Sequence, residues 1–190
     1  MNKSPNFEIK PCGEISNEFL KRGISTFQAA CQFIASLPYG RNLDKTDLIT
    51  IFSDHCGTCS TKHAILKTLA QENELEGITL VLGIFKMDVQ NTPAIAKTLK
   101  RYNLEFLPEA HTYLKFENEI MDFTKSNSSA SDFESSLLME LAIAPNQISN
   151  YKVAFHKAFL NQWLVENPAL EYDLDALWSI REQCIQDLSH

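Results

Sequence analysis

Apolar residues in this chain recur mostly every three or four positions. Phe27, Ala30, Cys31, Ile34 and Leu37 predict a helix that stops near Pro38, with Ser25 and Gln28 in a capping-box pattern at its start. A second helix is expected from near Cys59 to about Asn73, with Gly77 in the turn that follows. Ile78 to Phe85 is different. It is an unbroken apolar run of strand length, the pattern of a strand buried on both faces. Thr92-Pro93 reads as an N-cap followed by proline in the first turn, so a helix should start there and end near Asn103. Ser131 and Glu134 repeat the capping-box signature and predict a helix to about Ala142. Tyr151–Val165 and Asp173–Leu188 read as two further amphipathic helices. Their aromatic residues Phe155, Phe159, Trp163 and Trp178 are assigned to core packing.

Two stretches carry more than one reading. Leu48, Ile49, Ile51 and Phe52 fit one face of a short helix over Thr46–Ser53, and their β-branched content also fits a buried strand. The helix is preferred. Residues 111–116 and 119–124 flank Glu117-Asn118 and read as a hairpin. With those two residues as the loop, counting back puts Tyr113 opposite Asp122 and His111 opposite Thr124. His111 and Asp122 then share a face as diagonal neighbours, roughly 7–8 Å apart along the backbone and within side-chain reach. A slip of one residue would send them to opposite faces. Residues 125–131 are rich in Ser and Asn and read as a loop. Residues 1–24 have mixed character and receive no function. No internal repeat is apparent.

Composition narrows the field of functions. The chain has 190 residues, 44% hydrophobic and 22% charged, enough for one full-sized core with a small appendage. A formal net charge of -7 with no basic cluster argues against nucleic acid and against an anionic membrane surface as partners. Residues 1–14 contain no apolar run of signal-peptide length, and no stretch is long enough to span a bilayer, so the cytoplasm is the expected compartment. The 5 cysteines, Cys12, Cys31, Cys56, Cys59 and Cys184, are odd in number and scattered. That pattern suits a reducing compartment and thiol chemistry better than a secreted disulfide framework.

The chemistry concentrates in Asp54-His-Cys-Gly-Thr-Cys-Ser-Thr-Lys-His63, directly before the apolar helical run Ala64–Ala70. Cys59 is placed at a helix N-terminus, where the dipole and unpaired N–H groups favour a thiolate. Amide acyl chemistry needs a nucleophile, a base and a group that orients the base. Cys59, His111 and Asp122 supply those roles in that chain order, and the Cys59 backbone N–H is the first oxyanion donor to name. No cofactor is called for.

Leu37-Pro-Tyr-Gly-Arg-Asn42, Gly57-Thr-Cys-Ser-Thr-Lys-His63, and Pro108-Glu-Ala-His111 followed by Met121-Asp-Phe-Thr124 resemble the transglutaminase-like superfamily, as a bacterial-type member. The resemblance covers about residues 25–125. It implies an α+β, papain-like core in which a Cys-bearing helix packs on an antiparallel sheet, with extra C-terminal helices. It also implies Cys59 as nucleophile, His111 as base and Asp122 as third member. On that basis residues 1–125 form the catalytic core and 126–190 a helical extension packed on it. Two departures count against a cross-linking enzyme. The His-to-Asp spacing is shorter than in the eukaryotic cross-linkers, and Thr112-Tyr113 follow the histidine where the family usually has Trp. The expected substrate is a peptide or small amide, with hydrolysis ahead of transfer.

Three other readings compete. Cys56-Gly-Thr-Cys59 is a C-x-x-C motif, and with a strand before it would resemble a thioredoxin-type redox site. That reading leaves His111 and Asp122 without a role. His55, Cys56, Cys59 and His63 offer two sulfur and two nitrogen ligands, packed too tightly for common zinc spacings. Finally, a degenerate transglutaminase-like domain would bind without turning over. His63, one helical turn after Cys59, is read as a helix-surface or semi-buried residue before it is read as a supporting group.

Overall fold

A strand buried on both faces needs a partner at each edge and cover above and below. In the computed structural model, which describes residues 5–188, β1 (Ile78–Asp88) has both partners. Leu80 to Ile84 are all buried, as the apolar run requires. The sheet is antiparallel with strand order β3-β2-β1-β4, where β2 is Phe106–Phe116, β3 is Glu119–Met121 and β4 is Leu137–Ala142. Among the described residues, seven α-helices accompany it: α1 (Glu14–Lys21), α2 (Phe27–Ser36), α3 (Thr50–Ser53), α4 (Cys59–Glu72), α5 (Ala96–Arg101), α6 (Asn150–Glu166) and α7 (Leu174–Asp187). The fold is therefore α+β.

The paired part of the hairpin has the register read from the sequence, but its second strand stops at Met121 and not at Thr124, so Asp122 and Thr124 lie beyond the ladder. Leu114 pairs with Met121, Lys115 with Ile120 and Phe116 with Glu119, leaving Glu117-Asn118 as a two-residue loop. Both loop residues have positive φ, 48° and 70°, as the tight hairpin turn that matches strand twist demands. β2 begins five residues before His111, so the strand is longer than the apolar-polar pattern alone suggested.

Several expectations change. The capping residue of α2 is Thr26, whose side chain accepts from the Ala29 N–H, and not Ser25. The helix expected over Thr46–Ser53 shrinks to α3. Asp44 and Asp47 accept hydrogen bonds from the Thr46 and Ile49 N–H groups and hold the preceding residues in turns. The segment is still not a strand. The helix after Thr92 starts as a 3₁₀ turn at Pro93–Ile95 and becomes α5. The largest correction concerns Ser131–Ala142, which is not a helix. It forms two short 3₁₀ turns and then β4. The free edge of β1 needs backbone partners, and this segment supplies them. The ladder continues past β4, where Ile143 N–H donates to the Leu80 carbonyl at 2.9 Å. Local helix preference yields to that requirement.

Two compact units partition the chain, and both are discontinuous. The first takes the N-terminal part through Leu82, His111–Ala130 and Leu141–Ser149. Phe19, Phe27, Ile34, Ile65, Leu66, Leu69 and Tyr113 are among its buried side chains, and Phe19 meets Phe52 edge-on with ring centroids 5.1 Å apart. The second takes Gly83–Ala110, Ser131–Glu140 and the chain from Asn150 onward. Its core is Met87, Ile95, Leu99, Leu104, Leu107, Leu160, Leu177, Ile180 and Cys184, with Trp163 and Trp178 packed against it. Among the described residues, no helix is long and apolar enough to cross a membrane.

Candidate active site

Cys59 is the first residue of α4 and is buried, 6% exposed. A reciprocal capping box fixes the start of the helix. Thr61 N–H donates to Thr58 Oγ1 at 3.4 Å, and Thr58 N–H donates to Thr61 Oγ1 at 3.0 Å. The loop entering the helix leaves no room for a side chain at Gly57. A Cβ there would lie 2.9 Å from Ile51 Cδ1 and 3.0 Å from both Lys62 Cγ and Thr61 Oγ1. Gly57 N–H also donates to the Pro38 carbonyl at 3.1 Å, tying this loop to the Leu37–Asn42 stretch. All five cysteines are free thiols.

The buried Asn42 joins the two stretches more closely. Its Nδ2 donates to the Cys56 carbonyl at 2.9 Å and to Asp54 Oδ2 at 3.2 Å, and its Oδ1 accepts from Thr61 Oγ1 at 2.8 Å. One side chain therefore holds the backbone before Cys59 and the capping box after it.

His111 lies on β2, with Nε2 2.9 Å from Asp122 Oδ2. The Cys59 side chain also hydrogen-bonds His111. Burial alone would lower the pKa of His111. The hydrogen bonds to Asp122 and Cys59, with the electrostatic attraction of both, outweigh burial and raise it to about 10. The raised pKa favours the imidazolium form of His111. Its side chain keeps 15% exposure against 4% for Asp122, so the ring has one edge toward solvent. Burial would raise Asp122. The His111 hydrogen bond and charge, the nearby His63 and the Thr124 hydroxyl reverse this and hold it well below the usual carboxylate range. Thr124 donates to Asp122 Oδ1 twice, from N–H at 2.8 Å and from Oγ1 at 2.5 Å.

The structure thus brings the three sequence-predicted residues into one hydrogen-bonded row. It also adds groups that pattern reading placed elsewhere. His63 is fully buried, not on the helix surface. Its Nδ1 lies 2.7 Å from the Cys59 carbonyl oxygen, and Phe123 N–H donates to its Nε2 at 2.7 Å. A backbone N–H can only donate and a carbonyl can only accept, so the ring proton sits on Nδ1. Burial pushes the pKa of His63 down to about 4 against the attraction of Asp122, and the ring is neutral. Lys62 is buried beside it. Its Nζ donates to the carbonyls of Leu37 at 2.5 Å and Thr124 at 2.7 Å, and burial lowers its pKa to about 8 although Asp122, Cys56 and Cys59 attract its charge. A sequence signal existed for His63, which follows Cys59 by four residues and so shares its helix face. For Asn42 the signal was its place in the Leu37–Asn42 motif and not its role, because its partners lie 12 to 19 positions away.

Two of the alternative arrangements can be compared with this geometry. Leu48 and Ile49 are in a turn and Thr50–Ser53 in a helix, so no strand runs into the cysteine pair as in a thioredoxin-type site. Both ring nitrogens of His63 are committed to backbone groups, which removes it from the proposed His/Cys ligand set. Among the described residues, no group of three or more His, Cys, Asp or Glu side chains is arranged to hold a metal ion. No protein-family model, curated protein or solved structure matches the chain.

Proposed function

We propose that this protein carries out thiol-dependent acyl chemistry on an amide or peptide through a Cys59 thioester, with hydrolysis as the principal outcome. The observation that carries the reading is the continuous row from the Cys59 sulfur through His111 to Asp122, with the sulfur at the first turn of α4. We read the α+β arrangement as a papain-like, transglutaminase-type core. The resemblance of Leu37–Asn42, Gly57–His63 and the His111/Asp122 hairpin to that superfamily supports this.

The helix N-terminus and the imidazolium both favour the thiolate. The thiolate attacks the carbonyl carbon, forming a C–S bond and moving the carbonyl pair onto oxygen. The Cys59 backbone N–H is the oxyanion donor we name first. As the tetrahedral species collapses, His111 gives its proton to the amide nitrogen, the C–N bond breaks and the amine leaves. His111, now neutral, takes a proton from water. The hydroxyl attacks the thioester, the C–S bond breaks, and a carboxylic acid leaves with the thiolate restored. An amine in place of that water would give transfer. Asp122 fixes the imidazole by accepting from Nε2 throughout.

The test is incubation of the intact protein with amide and peptide libraries, with the acyl-enzyme trapped and located by mass spectrometry. An acyl adduct on Cys59, absent in Cys59→Ala, is expected. Reduction of a protein disulfide that requires both Cys56 and Cys59, with no acyl adduct, would replace this reading with the thiol-disulfide one.

A further inference from the structure

β3 ends at Met121, one residue short of Asp122, so the sheet ladder does not hold the carboxylate in place. His111 and Thr124 bind the carboxylate itself, and contacts from α4 hold the segment that follows it. Phe123 N–H, next in the chain, donates to His63 Nε2 at 2.7 Å, and the Thr124 carbonyl accepts from Lys62 Nζ at 2.7 Å. The same His63 ring reaches the Cys59 carbonyl with Nδ1 at 2.7 Å. One buried imidazole therefore touches the backbone of the nucleophile on one side and the backbone beside Asp122 on the other.

We propose that His63 is a positioning residue of this site: it locks the Asp122–Thr124 segment to the helix that carries Cys59, and so keeps the Asp122 carboxylate aimed at His111. The proposal rests on the Cys59–His111–Asp122 reading for its purpose, although the lock itself is geometric.

The neutral Nδ1–H tautomer is essential to this role. Its Nε2 lone pair receives Phe123 N–H while lying 3.5 Å from Asp122 Oδ1, so it makes no hydrogen bond to the carboxylate. A proton on Nε2 would end the bond to Phe123 and offer Asp122 a second cation in competition with His111. Lys62 contributes positive charge, but its Nζ donates to the carbonyls of Leu37 and Thr124, which fits a clamp and not a base.

The test reads His111, not turnover. In nitrogen-labelled wild-type protein, ring NMR should show His63 as the neutral Nδ1–H tautomer from about pH 5 to 9. A His63 that titrates near the ordinary histidine value, or carries its proton on Nε2, overturns the proposal. In His63→Phe the ring volume stays and both bonds go. The His111 titration midpoint should drop by about one unit or more toward that of Asp122→Asn, and iodoacetamide labelling of Cys59 at neutral pH should slow about 10- to 100-fold. His63→Gln, which can still accept from Phe123, should recover part of both. Unchanged titration in His63→Phe, or equal defects in the Phe and Gln variants, overturns the proposal. If His63→Phe does not fold, the wild-type tautomer and the Gln variant decide. Should wild-type Cys59 prove no more reactive than the other thiols, the nucleophile reading fails, and the His111 midpoint still reports on the clamp.

Discussion

His111 and Asp122 meet at 2.9 Å although Asp122 lies beyond the last paired residue of β3. The two-residue turn at Glu117-Asn118 sets their approach, and the contacts of Thr124, His63 and Lys62 complete it. Disturbing either layer should loosen the same bond.

The turn offers the most direct test. Glu117 pays for a left-handed backbone with no glycine or asparagine side chain to ease it, at φ 48°. Replacing Glu117-Asn118 with Asn-Gly should raise stability by about 1 kcal/mol in denaturant unfolding and leave Cys59 labelling unchanged. Inserting one residue into the same loop should displace Asp122 from His111. The labelling advantage of Cys59 should then be lost while the fold persists.

Among the site residues, Cys59→Ala and His111→Ala should each reduce turnover to the residue left by binding and oxyanion contacts. Asp122→Asn should cost less than either, since the nucleophile remains. Cys56→Ser should keep most of the activity. An effect of Cys56→Ser as large as that of Cys59→Ala would point to disulfide chemistry.

Asn42→Ala removes three hydrogen bonds from a buried position and leaves the Cys56 carbonyl without that donor. We expect a loss of about 2–3 kcal/mol in unfolding free energy and slower labelling of Cys59, because the loop entering α4 is freed. Gly57→Ala should act on the same loop by crowding Ile51, Lys62 and Thr61, with a loss of about 1–3 kcal/mol. A stable, fully reactive Gly57→Ala protein would show that this loop yields easily.

Acid should destabilise the fold through His63. Its folded pKa, about 4, lies below the ordinary histidine value of 6.5, so between those values the unfolded chain binds a proton that the folded one refuses. Stability should fall as pH drops through that window, by up to about 3 kcal/mol from this residue. The groups facing the ring are the Cys59 carbonyl, the Phe123 N–H and ring, Asp122, His111 and Lys62. His63→Gln should flatten the slope. His111 acts at the other end: its raised pKa stabilises the fold below about 6.5, and that contribution is lost as pH rises through about 10.

Local rules were sufficient for much of this chain. The start of α4 follows from Thr58, Gly57 and the apolar run behind them. The hairpin register follows from a two-residue loop and the period of a strand, which together allow only one pairing with His111 and Asp122 on a common side. Both depend on neighbours within a dozen positions. The conversion of Leu137–Ala142 from expected helix to strand depends on the open edge of β1, more than fifty residues earlier, and no local signal reports that vacancy. Thr26 displaced Ser25 as a cap within the usual uncertainty of helix ends. The roles of Asn42, Lys62 and His63 also needed the tertiary structure. Each is a polar side chain whose partners are brought to it by folding, and burial leaves those partners as its means of hydrogen bonding. Sequence alone placed Cys59 at the start of its helix and His111 on a hairpin strand with Asp122 on the same side, because spacing along one helix and one hairpin is a local property. Only the packed structure decided what holds them against one another, because that depends on which distant backbone groups lose access to water together.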